Sequence, residues 1–442
     1  MTITISMHNT TQNHNSFSEK ETLAWLEPEE VSQIKPYFDQ NDDLPKIILH
    51  ISRILFQFLL RILRTAFTLD HAYVKMRGSE KFSNNPVSIT YFGDKISFHY
   101  ITDLLFSKPP KIVEETSFRW WQLNRIFNEN RNDCDLYIID VSFPLTLWAK
   151  FPGFIVVPRW IMQRVDIANT WKEVMGRLRR KTRREAQRVI RKYNYRAHVT
   201  DGTVAADDFY ERLYKPHIKK RHGLAAVVVP RKQFINSCSR GKIIQLVHDE
   251  KVISAALLIH TGRQLSIEWT GIAPDVDQTQ EQGVTDALDY YTLLYAYQQG
   301  CDLLDMGPSR ARVDDGLLRY KSKWGAVVYR KKIPQGRIII GPVYSTDVAL
   351  SAILNHKFIS LENGELVSRV LLRGDMDQDS IEQVITNEWV EGLNRLSVFL
   401  QSDSLSGSAR IHPQIKIVTH KSLCQLYNLF KNSFGTYKIQ DL

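Results

Sequence analysis

Residues 170–192, TWKEVMGRLRRKTRREAQRVIRK, decide how the rest of the chain is read. Thr170 and Glu173 form a capping-box signature, in which each side chain satisfies a backbone N–H of the first helical turn. The pattern predicts a helix over 171–192. From Gly176 to Lys192 it carries nine basic residues against one acid, Glu185, a net charge of +8 in seventeen residues. Leu178, Ala186, Val189 and Ile190 supply the apolar positions. Like charge this dense repels itself, and an anion relieves it. Arginine's planar donor fork suits phosphate. Arg180, Arg183 and Arg184 are therefore candidate contacts to a phosphorylated substrate, a donor or a nucleic acid. The plainer reading is a solvated basic face.

Outward from this helix the chain alternates between strand and helix patterns. Upstream, VSITYFG (87–93), KISFHYI (95–101), DLYIIDV (135–141) and FIVVPRW (154–160) read as strands, and 115–130 as a helix. Downstream, helices are predicted over 206–222, 230–239 and 284–299. IIQLVHD, VISAALLIH, QLSIEWTG, DLLDMG and KSKWGAVVYRKKI read as strands. This is an α/β layout. Residues 346–442 read as mostly helical, with a loop at SDSLSGSARIHP.

Two more groups carry chemistry. In YKPHIKKRHG, Tyr214, His217 and Arg221 follow at spacings of three and four, which share a helix face. That face can position an anion or a hydroxyl, and His217 can act as a base, or be a structural histidine. In CDLLDMGPSRARVDDGLLRYKSKWG (301–325), a strand ends at Asp305, a Gly-Pro turn follows, and Lys321 returns toward another strand. An acid and a base at one cleft mouth is an active-site arrangement, since such loops carry function. Otherwise Asp305 caps its own turn and Lys321 is exposed.

The chain has 442 residues, enough for two or three domains. With 43% hydrophobic and 24% charged residues it is neither disordered nor fibrous. Cys134, Cys238, Cys301 and Cys424 are scattered, which argues against a zinc ribbon or a disulfide framework, and no metal is expected. The first residues lack a secretory-signal pattern, and no apolar run is long enough to span a bilayer. The net charge of +10 points to an anionic partner. Within 44–69, Lys46, His50, Arg53, Gln57, Arg61 and Arg64 form a narrow polar stripe on an otherwise apolar helix. Such a helix lies on an anionic membrane surface or packs against its own domain.

In order, TWKEVMGRLRRKTRREAQRVIRK, YKPHIKKRHG, DMGPSR and RYKSKWG resemble the Fem-type and CelD-like branch of the GNAT acyltransferases. The resemblance covers roughly 155–335 well and 86–155 weakly. It implies a GNAT-type α/β fold, a mixed sheet with a V-shaped opening for the acyl donor, in two tandem units; the pattern of 346–442, which the resemblance does not cover, adds a helical C-terminal extension. The implied organisation is a flexible tail over 1–43, a basic helix and linker over 44–85, a degenerate first unit over 86–170, a catalytic unit over 171–345 and the extension over 346–442. The implied activity is transfer of an acyl or aminoacyl group from acyl-CoA, or alternatively aminoacyl-tRNA, to an amine or hydroxyl. The acceptor is a cell-envelope, polysaccharide or lipid-linked molecule. The expected place is the cytoplasm or, through the helix within 44–69, the inner face of the membrane. Asp305, Lys321, Glu268 and His217 are the catalytic candidates in that order. Arg180, Arg183, Arg184, Tyr214, Arg221 and Trp324 are candidates for substrate contact, though a tryptophan is as readily core. The family's phosphate loop sits at a helix start, where free N–H groups face the anion. Here that place reads QTQEQGVTDALDYY, so Gln278, Gln280, Gln282 and Gly283 are the donor-binding candidates. The loop's second glycine is missing, and Glu281 adds a negative charge. The competing readings are a non-catalytic GNAT-like protein or a nucleic-acid-binding protein using the arginine helix.

Overall fold

The structure, a computed structural model, describes residues 71–130, 133–141, 154–223, 226, 228–330, 336–341, 347–373, 378–401 and 415–420. The tail 1–43 and the basic stripe within 44–69 lie outside the described residues. Those described all fall in one compact unit, Leu69–Leu442.

The strands are β1 (His71–Ser79), β2 (Pro86–Gly93), β3 (Lys111–Phe118), β4 (Leu136–Val141), β5 (Ile155–Pro158), β6 (Ile161–Asp166), β7 (Arg196–Asp201), β8 (Lys242–His248), β9 (Lys251–Thr261), β10 (Gln264–Ile272), β11 (Leu303–Ser309), β12 (Val327–Tyr329), β13 (Arg337–Gly341), β14 (Ile359–Glu362), β15 (Glu365–Arg373), β16 (Arg395–Gln401) and β17 (Ile415–His420). They form three sheets, ordered β3-β1-β2-β4-β13-β5, β12-β6-β11-β10-β9-β8-β7 and β14-β15-β16-β17. The first two sheets are alike in kind. Each is antiparallel except for one internal parallel pair, β2–β4 in the first and β10–β11 in the second. This is the mixed α/β architecture in tandem that the sequence implies.

The second sheet is clad by helices because its strands are apolar on both faces. Ala255 to Leu258 of β9 are all buried, and the long helix Gln278–Gln298 covers one side through Val284, Ala287 and Leu288. The arginine helix packs on that helix through Ala186 and Val189. On the other side Phe209, Leu213 and Phe234 fill a separate core.

Several expectations change. KISFHYI is not a strand but the start of the helix Lys95–Leu105. Seven residues cannot separate a period of 2 from 3.6; Ile101, Leu104 and Leu105, all buried, extend the pattern at helical spacing. Residues 115–130 contain an α-helix only over Leu123–Glu129, led in by a 3-10 turn at Trp120–Gln122, because the stretch up to Phe118 pairs with β1 as the edge strand β3. The helix expected over 171–192 is two, Trp171–Arg177 and Arg180–Lys192. Leu178 leaves helical geometry with ψ 143° and is buried, while the Arg179 N–H bonds the Lys323 carbonyl at 3.2 Å. The tertiary bond to the 316–325 segment thus breaks the helix. Thr170 caps it as expected.

Where 346–442 is described, the mostly helical extension expected is instead the third sheet with two helices, Asp347–Asn355 and Gln378–Glu388; residues 402–414 and 421–442 lie outside the described residues. The second helix ends before Gly392, where φ is +95° and a side chain would strike the Val328 carbonyl, so LNRLSVFL emerges as β16. Neither unit is contiguous in sequence as expected. β1 begins at His71, inside the supposed linker; β6 joins the second sheet ahead of 171; β13, inside 171–345, inserts between β4 and β5 of the first.

Candidate active site

The site is built where β10 and β11 stop pairing. Their parallel register runs Gln264↔Leu303, Leu265↔Leu304 and Ser266↔Asp305 and then ends. Both strands are irregular beyond that point. β10 bulges between Ile267 and Trp269 against β9, leaving Glu268 as the extra residue, and β11 shifts between Asp305 and Pro308 against β6. Bulges re-aim strands and end pairing. The sheet is therefore open past Ser266 and Asp305, in the position the resemblance assigns to the donor. In the first sheet the parallel pair stays closed through five registers, from Ile89↔Leu136 to Gly93↔Asp140. Its end is filled by charge: Asp140, fully buried, accepts from Arg159 Nε at 2.9 Å, and Arg159 Nη2 reaches Asp94 at 3.3 Å. Among the described residues, the parallel pair of the first sheet therefore shows no equivalent opening.

Asp305 and Lys321 hold one turn from two sides. Asp305 is buried; Oδ1 accepts the Gly307 N–H at 2.8 Å and Oδ2 accepts the Tyr329 hydroxyl at 2.7 Å. Gly307 has φ +77°, a left-handed conformation that favours glycine, and its Cα faces the Ile267 carbonyl across the gap. Lys321 Nζ donates to the carbonyls of Gly307 at 2.9 Å and Pro308 at 2.8 Å. Lys321 lies on a helix, Gly316–Lys323, rather than entering a strand, and Asp315 caps that helix by accepting the Leu318 N–H at 2.8 Å. Burial pushes the Lys321 ammonium down to about 8, against the pull of Asp289, Asp305 and Asp315, and Arg221 lowers it further. At neutral pH the group is mostly a cation with two of its three donors used. That suits oxyanion stabilisation better than proton abstraction.

The other candidates fall into three groups. Glu268 is exposed at the β10 bulge, on the rim of the gap, and Arg221 is exposed and electrostatically coupled to Lys321. His217 is buried with Nδ1 4.0 Å from Glu281, which also meets Lys220 at 3.7 Å, so these groups gather at the start of the long helix. Arg180 and Arg184 are exposed; Arg183 is half-buried, with Nη1 bonded to the Met175 carbonyl at 3.1 Å.

Three candidates are structural. Tyr214 is 3% exposed, stacks near Phe234, and its hydroxyl accepts the Val229 N–H at 3.3 Å. Trp324 is 1% exposed, within the core beside Leu178 and Ala326. Both side chains turn into the protein, Tyr214 from the helical turn Phe209–Tyr214 and Trp324 from the position just past Lys323. The long helix starts at Gln278, not 284, so Gln278, Gln280 and Gln282 occupy its first turns, and their side chains lie outside the described residues. Gly283 is inside the helix, where a Cβ would stand 3.3 Å from Val189 of the arginine helix. It serves close helix packing rather than a phosphate loop.

The sequence reading missed Asp289. This carboxyl on the long helix accepts the Tyr320 hydroxyl at 2.6 Å, and its surroundings include Lys321. Burial raises it to about 7. The available signal was an acid in the apolar run ALDYYTLL, adjacent in space to the Tyr-Lys motif only after folding. A carboxyl raised from its unfolded value near 3.9 contributes stability that is present below pH 4 and lost as pH rises through about 7. Asp289→Asn keeps an acceptor for Tyr320 and removes this loss. Its melting temperature should match wild type near pH 4, where both states hold the proton, and rise above it by pH 8, a stability gain on the order of 1–3 kcal/mol. Equal curves at both pH values would show Asp289 ionising normally.

Among the described residues no cluster of His, Cys, Asp and Glu is suited to a metal, and no helix is long and apolar enough to cross a membrane.

The open parallel pair, the buried lysine and the strand-end aspartate all fall within one stretch that matches a known family. Residues 176–322 match the family described as acetyltransferase (GNAT) domain, and the chain accordingly carries a GNAT acyltransferase domain. No curated protein matches the chain. Solved structures similar to it include FemX, at 13% identity over 59% of this chain and 82% of that one, with a TM-score of 0.33. Others are the C-terminal domain of a putative lysylphosphatidylglycerol synthetase from Agrobacterium fabrum (14% identity, 63% and 83% covered, TM-score 0.31) and L-PGS from Bacillus licheniformis (13%, 65% and 90%, 0.31).

Proposed function

We propose that the protein transfers an acyl or aminoacyl group from a phosphate-bearing donor, acyl-CoA in the first instance, to an amine or hydroxyl. The acceptor is a cell-envelope, polysaccharide or lipid-linked molecule. The observation that carries this is the opening between β10 and β11 with Asp305 and Lys321 bracketing its turn. The Asp305 carboxylate has about four lone-pair positions, two of them taken, and takes the proton of the attacking group. Glu268 on the rim is the second carboxylate within the opening. Lys321 gives its remaining N–H to the oxyanion that forms on the donor carbonyl; when that oxyanion collapses, the bond to the donor breaks and the donor leaves as its thiol, taking the proton that Asp305 received. Arg180, Arg184 and Arg221 draw in the donor's phosphates, and His217 serves the same end of the long helix. The basic stripe of 44–69 brings the protein to the anionic inner face of the membrane, where a lipid-linked acceptor would be met.

The arginine helix supplies the test. Changing Arg180, Arg183 and Arg184 together to Gln should weaken acyl-CoA at least tenfold at low salt. Charge-assisted contacts are worth roughly 1.5–3 kcal/mol when desolvated and far less when exposed. A thermal-shift panel with acetyl-CoA, long-chain acyl-CoA and charged tRNA identifies the donor, since a ligand specific for the native state raises its melting temperature. An unchanged dissociation constant in the triple variant would reduce the helix to a solvated face. A shift with generic DNA and none with any donor would favour nucleic-acid binding.

A further inference from the structure

Arg310 stands just past β11, five positions beyond Asp305, where the two sheets meet. Its guanidinium is clamped between two aromatic faces. Cζ is 3.8 Å from the ring centre of Tyr100, on the Lys95–Leu105 helix of the first unit, and 3.9 Å from that of Trp160, in the link between β5 and β6. Stacking of this kind satisfies the faces of the cation and leaves its five in-plane N–H donors to be met by something else. Among the described residues no carboxylate or carbonyl accepts them. The neighbouring acids are committed elsewhere: Asp140 is held by Arg159, and Asp315 caps the Leu318 N–H. The charge of Arg310 is felt by both, but neither is an ion-pair partner. Burial disfavours the charged form, yet an arginine stays charged. Trp160 is 37% exposed, so the clamp borders solvent.

A partly buried cation with covered faces and unmet edges is built for a planar, two-point partner. Carboxylate and phosphate oxygens match that fork, and lysine could not replace it. We propose that Arg310 is an oxyanion subsite at the seam of the two units, held in orientation by Tyr100 and Trp160, and that it takes a carboxylate or phosphate group of the acceptor. The acceptor role rests on the acyltransferase reading; the binding does not. Five extended residues span at most about 18 Å, which bounds the Cα separation of Arg310 and Asp305 and keeps the subsite near that end of the opening.

The test is direct binding to the full chain. Inorganic phosphate and acetate are titrated separately at fixed ionic strength, with tryptophan fluorescence as the readout. Trp160→Phe identifies the part of the signal that comes from the clamp. A saturable Trp160-dependent change with either anion is expected, and which of the two gives it identifies the group recognised. Arg310→Met should abolish that change. Arg310→Lys keeps the charge without the fork and should raise the dissociation constant at least tenfold, which keeps the question answerable if the methionine variant folds poorly. Absence of a Trp160-dependent signal with both anions, or an unchanged signal in Arg310→Lys, would make the sandwich a structural staple and overturn the proposal. If binding follows Arg310 but wild type transfers no acyl group from any donor, the oxyanion site stands and the acceptor role falls with the acyltransferase reading.

Discussion

Asp305→Asn is expected to lower turnover by roughly 10²–10⁴-fold, the usual contribution of a positioned acid–base group, with little change in melting temperature. Asparagine can still accept the Gly307 N–H through its carbonyl oxygen and meet the Tyr329 hydroxyl through its amide, so the turn survives while the charge is lost. Lys321→Met should be as inactive and also less stable. It leaves the Gly307 and Pro308 carbonyls without their buried donor, at about 1–3 kcal/mol. The two variants thus separate: one loses activity alone, the other activity and stability. Because the cation is the working form of Lys321, wild-type turnover should decline as pH rises through about 8. Steady-state rates across pH 6–10 with thermal melts check all three. Wild-type turnover in Asp305→Asn would remove this residue from the chemistry.

The second large effect is on stability. Trp324→Ala should cost about 3–5 kcal/mol, the range for deleting a large aromatic from a packed core. Trp324 is 1% exposed, so the cavity forms in the core shared by the paired helices Trp171–Arg177 and Arg180–Lys192 and the long helix. The cost should appear as an earlier midpoint in denaturant unfolding. A substrate platform would behave differently, leaving the midpoint in place and raising KM. Loss of acceptor affinity at unchanged stability would return Trp324 to the site.

Elements whose signal is local were legible. The Thr170–Glu173 cap, the helix Arg231–Cys238 and the strands β8, β9 and β10 lie close to where their patterns put them. Those strands alternate or run apolar over seven residues or more, and their flanking turns are polar. Edges and exchanged strands were not legible. β3 is exposed at seven of its eight positions, so no buried face marks it, and only pairing with β1 makes it a strand. β13 returns to the first sheet from far along the chain, and nothing in RIIIG states which sheet it will join.

For the site the division is similar. The DMGPSR and YKSKWG motifs placed Asp305 and Lys321 in one neighbourhood, because a strand-end turn followed by a segment that returns to the sheet brings the two together; that Lys321 stands on a helix was not legible. The charge of the arginine helix was also readable, since charge is a property of composition. Burial is not. Whether Tyr214 and Trp324 face a ligand or the core, whether Gly283 approaches phosphate or Val189, and whether Asp289 ionises all depend on what packs against them. The order of motifs by itself determined the fold class and the chemical neighbourhood. The tertiary structure alone decided which groups are buried and coupled, because desolvation and hydrogen bonding come from neighbours distant in sequence.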